Sequence, residues 1–224
     1  MKYVVVDFEW NQSPYGKNTS NKRLPFEIIE IGAVKLDENG REIGQFSKVI
    51  KPKVYKKLHH VTKSLTGITE KELSLGSPFP DALEAFLEWC GDGYMFCTWG
   101  NLDLMELQRN MKFYHLEDML EGPIKYYNVQ KLFRIFYDNE NSTASLEYAV
   151  DFFKLRNKAG FHRAVNDAVY TADVFHCPTT PRDYPCQTVT GLLLYTVVQS
   201  VPVLPGITPR HVLPLLQDES YHRL

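Results

Sequence analysis

The segment MKYVVVDFEW at the start of the chain constrains the fold most. Residues 3–8 are mostly β-branched and read as a buried strand. Asp7 and Glu9 interrupt it two residues apart, so both carboxylates leave one face. An edge strand could show such acids to water. Val4, Val5, Val6 and Phe8 instead make this strand central, where an unpartnered acid is costly. The chain must therefore build a layered core around a strand that carries two charges.

Further elements follow in a clear order. Residues 28–36 (IIEIGAVKL) read as a second strand, the turn Asp37-Glu38-Asn39-Gly40 closes it, and 43–50 returns. Ser77 and Pro78 open a helix that runs to Cys90 and stops at Gly91. Residues 94–98 (YMFCT) form a fourth apolar strand. Helical patterns lie near 102–112, 128–137, 145–155 and 163–176, with Ser145 a plausible N-cap. Three strands, then alternating helix and strand, then helices, make an α/β layer fold on one sheet.

More acids stand at the ends of these elements. Asp103 falls in TWGNLD, just past the fourth strand, where Gly100 makes a tight strand-to-helix connection. Asp103 also suits the first turn of a helix on dipole grounds alone. His162 and Asp167 belong to FHRAVNDA. Five residues is not a same-face helical spacing, so His162 is expected on the lead-in loop and Asp167 on the helix. His162 could also be a capping or core histidine. Arg163 is placed to pair with Asp167 four residues on. Carboxylates gathered from three distant segments repel unless cations sit between them, and hard oxygen ligands suit Mg²⁺ or Mn²⁺. A histidine beside them can take a proton from water, which points to metal-assisted hydrolysis of a phosphodiester.

These blocks together resemble the DEDDh branch of the DnaQ-like 3′→5′ exonucleases, in the ribonuclease H-like superfamily. D-F-E in the first strand, W-G-N-L-D and H-R-A-V-N-D-A match in order, and the four residues between His162 and Asp167 select this branch over its tyrosine-bearing sister. The resemblance covers about residues 2–176. It implies a three-layer ribonuclease H-like fold with a mixed five-stranded sheet flanked by helices. It implies that Asp7, Glu9, Asp103 and Asp167 hold two divalent cations, Mg²⁺ or Mn²⁺, ~4 Å apart. His162 would be the general base, and the product a nucleoside 5′-monophosphate. The partner implied is nucleic acid with a single-stranded 3′ end. Leu65, Thr66 and Gly67 resemble a family segment near that end, and Phe8 and Trp10 lie beside the acids. Phe8 could equally be core, touching the terminal nucleotide mainly through its backbone. The long first hairpin and the W-G-x-x-D block look most like the RNA-processing branch, similar to histone-mRNA 3′-exonucleases and their bacterial relatives, so RNA is favoured over DNA.

Charge adds detail. The net charge is −2, so no global basic field exists and any polyanion site must be a local patch. Residues 48–63 hold six lysines, Lys56 and Lys57 among them, and no acid. That stretch is either a solvated loop or a phosphate-tracking patch. Residues 11–25 (NQSPYGKNTSNKRLP) exceed what a hairpin needs and read as a clamp beside the site or as a spacer.

The start is not a signal peptide, no run reaches membrane-spanning length, and the four cysteines show no C-x-x-C spacing. A cytoplasmic protein without zinc or membrane contact is expected. Residues 1–177 form the expected exonuclease domain. Residues 178–224 hold seven of the 13 prolines and no lysine. They read as an extended tail, or as a stretch translated from a shifted frame and never selected to fold. Two other functions stay open: a proofreading subunit with a polymerase partner (a ribonucleoprotein partner is the RNA counterpart), and a binding module without catalysis.

Overall fold

The structure, a computed structural model, describes residues 2–120, 124–137, 144–155, 160–176, 187–190 and 193–195. Its first strand, β1 (Lys2–Asn11), pairs antiparallel with β2 (Glu27–Leu36), which pairs antiparallel with β3 (Glu42–Val49). On its other side β1 runs parallel to β4 (Tyr94–Thr98), and β4 runs parallel to β5 (Ile124–Asn128). This is the expected mixed five-stranded sheet. Two short antiparallel strands, β6 (Gln187–Thr190) and β7 (Leu193–Tyr195), extend it beyond β5 in the order β3-β2-β1-β4-β5-β6-β7. They come from the stretch read as a tail. The other residues of 178–224 lie outside the described ones.

Helices cover both faces. Val4, Val6 and Phe8 point to one side, where α3 (Phe79–Cys90) and α4 (Leu102–Tyr114) bury Phe79, Phe86, Leu104 and Leu107 against them. Tyr3 and Val5 point to the other. There α5 (Val129–Phe136), α6 (Leu146–Phe152) and α7 (Ala164–His176) contribute Phe133, Val150 and Phe175. The strand's period of two thus splits its apolar side chains between two cores, and the acids at 7 and 9 inherit the α7 side.

The caps follow the sequence. α3 has Pro78 at its N-cap and ends at Gly91, whose φ of 65° favours glycine. The Ser145 side chain accepts from the Tyr148 N–H at the start of α6. Two helices were not expected: α1 (His60–Thr66) and α2 (Glu70–Leu75) occupy the end of the lysine-rich stretch and its continuation. Both are too short to show helical periodicity, and local capping defines them instead. Thr69 and Glu72 form a reciprocal capping box at α2.

Candidate active site

β1 outruns its parallel neighbour. The β1–β4 ladder ends at Val5↔Cys97, so the backbone of Phe8 has no strand partner on that side. Asp103 fills the gap: its Oδ1 accepts the Phe8 N–H at 3.2 Å. Asp103 gets there because Gly100, at φ 98°, turns the chain sharply from β4 into α4. The site therefore forms where β1 and β4 part, at the carboxyl end of the parallel pair.

On the α7 side, Asp7 lies opposite Gly32 and Glu9 opposite Glu30 of β2. Gly32 is essential to the geometry. A Cβ there would lie 2.0 Å from the backbone of Ala164 and Val165. The first turn of α7 therefore presses directly on the β2 backbone, beside Asp7, and brings in Asp167. Ligand oxygens of Asp7, Glu9 and Asp167 all lie within 4.8 Å of one another.

A second device holds α7 in place. Glu30 is fully buried and accepts from Arg163 Nε at 3.1 and 3.2 Å, from a terminal guanidinium nitrogen at 2.6 Å, and from the Ala164 N–H at 3.0 Å. Arg163 also lies 3.8 Å from Glu72 of α2. The expected Arg163–Asp167 pair is thus not formed. A buried strand carboxylate offers a better-desolvated and bidentate partner than a neighbour four residues along a helix. The signal that could have exposed this pair is Glu30 itself, an acid inside the otherwise apolar IIEIGAVKL.

His162 precedes α7 on the lead-in loop, as expected. Its φ of 67° is a left-handed conformation, unusual for a residue with a Cβ. That turn aims the His162 N–H at Asp167, reaching its two carboxylate oxygens at 3.1 and 3.3 Å. The ring is 40% exposed, with Nε2 3.9 Å from Glu147 of α6. It is neither core nor cap.

The carboxylates perturb one another. Burial is the largest cause in every case and raises each carboxyl. Asp7 is raised well above the usual range, and the charges of Asp103, Glu9, Asp167 and Glu30 add to the burial. Glu9 is raised to about 8, with Asp167, Glu30 and Asp103 adding and Arg163 opposing. Asp103 is raised to about 7 despite its hydrogen bond from Phe8, and Asp167 to about 6 despite those from His162. Three hard carboxylates with ligand oxygens within 4.8 Å of one another, and Asp103 raised by the same surroundings, fit a divalent cation. The residues that would hold it are Asp7, Glu9, Asp103 and Asp167.

The substrate-side expectations divide. Phe8 is 3% exposed and packs in the α3–α4 core, so only its backbone can face a ligand. Trp10 is half-buried near Phe26, and its carbonyl accepts from the Thr62 hydroxyl. Asn11 reinforces that joint, donating to the carbonyls of Tyr55 and Lys57 and accepting from the His59 N–H. These bonds fix α1 beside the end of β1 and leave Leu65 half exposed. Thr66 is buried, with its hydroxyl committed to Thr62 and Ile68. Gly67 caps α1 at φ 67° with open space around it. Lys56 and Lys57 are exposed.

Residues 4–175 match the model of the RNase_T family, described as exonuclease. The probable 3′-5′ exonuclease KapD of Bacillus subtilis is 27% identical over 182 residues, covering 81% of this chain and 86% of that one. A full-length 3′-exonuclease superposes with a TM-score of 0.73 at 20% identity, covering 91% and 93% of the two chains. The nuclease domain of 3′hExo, a DEDDh family member bound to rAMP, superposes with a TM-score of 0.65 at 21% identity, covering 77% and 88%.

Proposed function

Because the chain belongs to the RNase_T family of exonucleases, we propose that it is a metal-dependent 3′→5′ exonuclease that trims single-stranded nucleic acid, RNA in preference to DNA, in the cytoplasm. One observation carries this reading: Asp7, Glu9 and Asp167 bring ligand oxygens within 4.8 Å of one another, beside an Asp103 that caps the same strand. The similarity to KapD supports the 3′→5′ direction, and a similar nuclease domain bound to rAMP supports a ribonucleotide end.

Two divalent cations, Mg²⁺ or Mn²⁺, would neutralise this cluster and stabilise charge on the attacking and leaving oxygens. The chain's own residues do the rest. His162 takes a proton from water, whose oxygen attacks the terminal phosphorus. The bond from phosphorus to the 3′ oxygen breaks, releasing a nucleoside 5′-monophosphate and a strand one nucleotide shorter. The Asp167 bond to the His162 N–H holds base and carboxylate in one turn. The Glu30–Arg163 pair keeps that turn seated on β2. Exposed Leu65 meets the terminal bases, and Lys56 and Lys57 meet phosphates behind them.

The test is digestion of matched 5′-labelled RNA and DNA oligonucleotides with Mg²⁺, Mn²⁺ or EDTA, with Asp7→Ala as control. A metal-dependent ladder shortening from the 3′ end, absent in the variant, is the expected result. No cleavage by a folded protein with metal present would overturn the reading.

A further inference from the structure

We infer that a basic pocket between residues 20–24 and the C-terminal half of α4 is a second nucleic-acid site, holding the strand 5′ of the nucleotides at the acid cluster. The inference rests on the exonuclease reading above and extends it to a surface outside the active site.

The pocket measures about 580 Å³, the size of ordinary ligand sites. Lys22, Arg23, Arg109 and Lys112 line it, with Glu117 the one acid. Arg109 is neutralised by its pair with buried Glu106. Lys22, Arg23 and Lys112 form no ion pair with the described residues. Three cations without an ion pair, against one acid, are a local departure for a chain of net charge −2. The lining also holds apolar Met111, Phe113, Leu120 and Ile124. Cations beside apolar and aromatic side chains in one pocket suit phosphates together with bases or sugars.

The cations are presented by a built turn. Leu24 is fully buried, and its N–H donates to the Asn21 carbonyl at 3.0 Å. The Tyr55 hydroxyl donates to the Leu24 carbonyl and accepts the Asn21 N–H, each at 2.8 Å. Asn21 Oδ1 accepts the Arg23 N–H at 2.9 Å. Lys22 and Arg23 thus sit at the tip of a turn clamped on both sides. This gives the long 11–25 segment a role: it delivers charge to the pocket.

The pocket is also joined to the active site. Tyr55 belongs to the lysine-rich stretch, whose Lys53 Nζ lies 5.5 Å from the Tyr114 ring centre at the end of α4. The same stretch is bound by Asn11 at the end of β1, two residues past Glu9. Along α4, Asp103 and Lys112 are ~14 Å apart, a reach of a few nucleotides. A strand with its 3′ end at the acids can follow the lysines to the pocket. A small anion alone would leave the apolar lining unused.

The test uses the full chain with Lys22→Glu, Arg23→Glu and Lys112→Glu combined, and a parallel Gln triple. Affinity for a labelled single strand of about 12 nucleotides is read by anisotropy in EDTA at two salt concentrations. Turnover of a substrate of about three nucleotides is measured separately with metal. We expect about 10- to 100-fold weaker long-strand binding in the Glu triple and a smaller loss in the Gln triple. The salt slope should be shallower by about two, with short-substrate turnover unchanged. Unchanged long-strand affinity would sink the inference and leave the exonuclease reading intact. Loss in the Glu triple but none in the Gln triple would also sink it, since added repulsion would explain the loss. If the parent cleaves neither substrate, the exonuclease reading fails, while the binding arm, run without catalysis, still decides the pocket.

Discussion

Two groups of acids lie along the same pair of strands, and the protein treats them oppositely. Glu27 and Glu30 of β2 are buried and fully served. Glu27 accepts the backbone N–H groups of Lys53, Val54 and Tyr55 at 2.6 to 3.0 Å, and the Tyr114 hydroxyl at 3.1 Å. Glu30 has Arg163 and the Ala164 N–H. Across the ladder, Asp7 and Glu9 are raised by burial and by surrounding acids, and no hydrogen bond lowers either of them. The served carboxylates fasten segments together. The unserved ones keep repulsion that a structural role does not need, and such repulsion marks a site built for a charge from outside.

The sharpest way to break this contrast is to remove one unserved acid. Asp7→Asn should cut turnover by about 10³-fold or more, the scale of losing several kcal/mol of charge stabilisation. Its metal-free stability above pH 7 should hold or rise, because a repelled charge is gone. Steady-state kinetics with thermal melts in EDTA would check both. A variant that loses stability as a served acid does would erase the distinction.

Next in size is His162→Ala, expected to lose about 10²- to 10⁴-fold in turnover. Metal affinity should survive, since the ring is not among the clustered ligands. Calorimetric titration with Mn²⁺ alongside steady-state kinetics tests this. Wild-type turnover in the variant would remove His162 from the mechanism.

On the other side of the contrast, Glu27→Gln should leave the chemistry near its parent value and cost stability. Gln cannot accept from all four donors, so buried N–H groups lose partners, worth about 2–3 kcal/mol. The 51–58 segment is what Glu27 fastens, so KM for long substrates should rise while kcat changes little. Equal stability with an unchanged KM would show that Glu27 is not the anchor its bonds describe.

The residues of the acid cluster were legible from sequence and the acids that fasten segments were not, for a physical reason. Asp7, Glu9, Asp103, His162 and Asp167 carry their signal locally, in short blocks at fixed places on strands and helix starts. The first three strands and α3 were legible too, through periodicity, Pro78 and Gly91. Glu30 pairs with Arg163 across 133 residues, and Glu27 with backbone N–H groups that have no residue type to read. β5 was missed because Ile124–Asn128 alternates poorly and runs straight into α5. Phe8 shows both limits at once. Its neighbourhood to the acids was plain, and the strand's alternation puts its ring in the opposite core.

The smallest effect is also the one that reads the acid cluster most directly, the pH dependence of stability without metal. Glu9 moves from 4.5 to about 8, Asp103 from 3.8 to about 7 and Asp167 from 3.8 to about 6 on folding, and Asp7 moves the same way. Their folded values lie above their unfolded ones, so the folded state binds more protons between about pH 4 and 8. Stability must therefore fall as pH rises through that window. In EDTA the melting temperature should drop on the order of 5 °C from pH 5 to pH 8, the scale being kept small because Glu9 is only half-buried. Asp37, Glu70 and Glu72 are lowered instead, and their stabilisation is lost only below this window. Saturating Mn²⁺ binds the deprotonated carboxylates, so with metal the slope should reverse and stabilisation should grow with pH. Asp7→Asn should flatten the EDTA slope. A parent whose EDTA melting temperature rises across pH 5 to 8 would mean that the acids on β1 and α7 are as well served as those on β2.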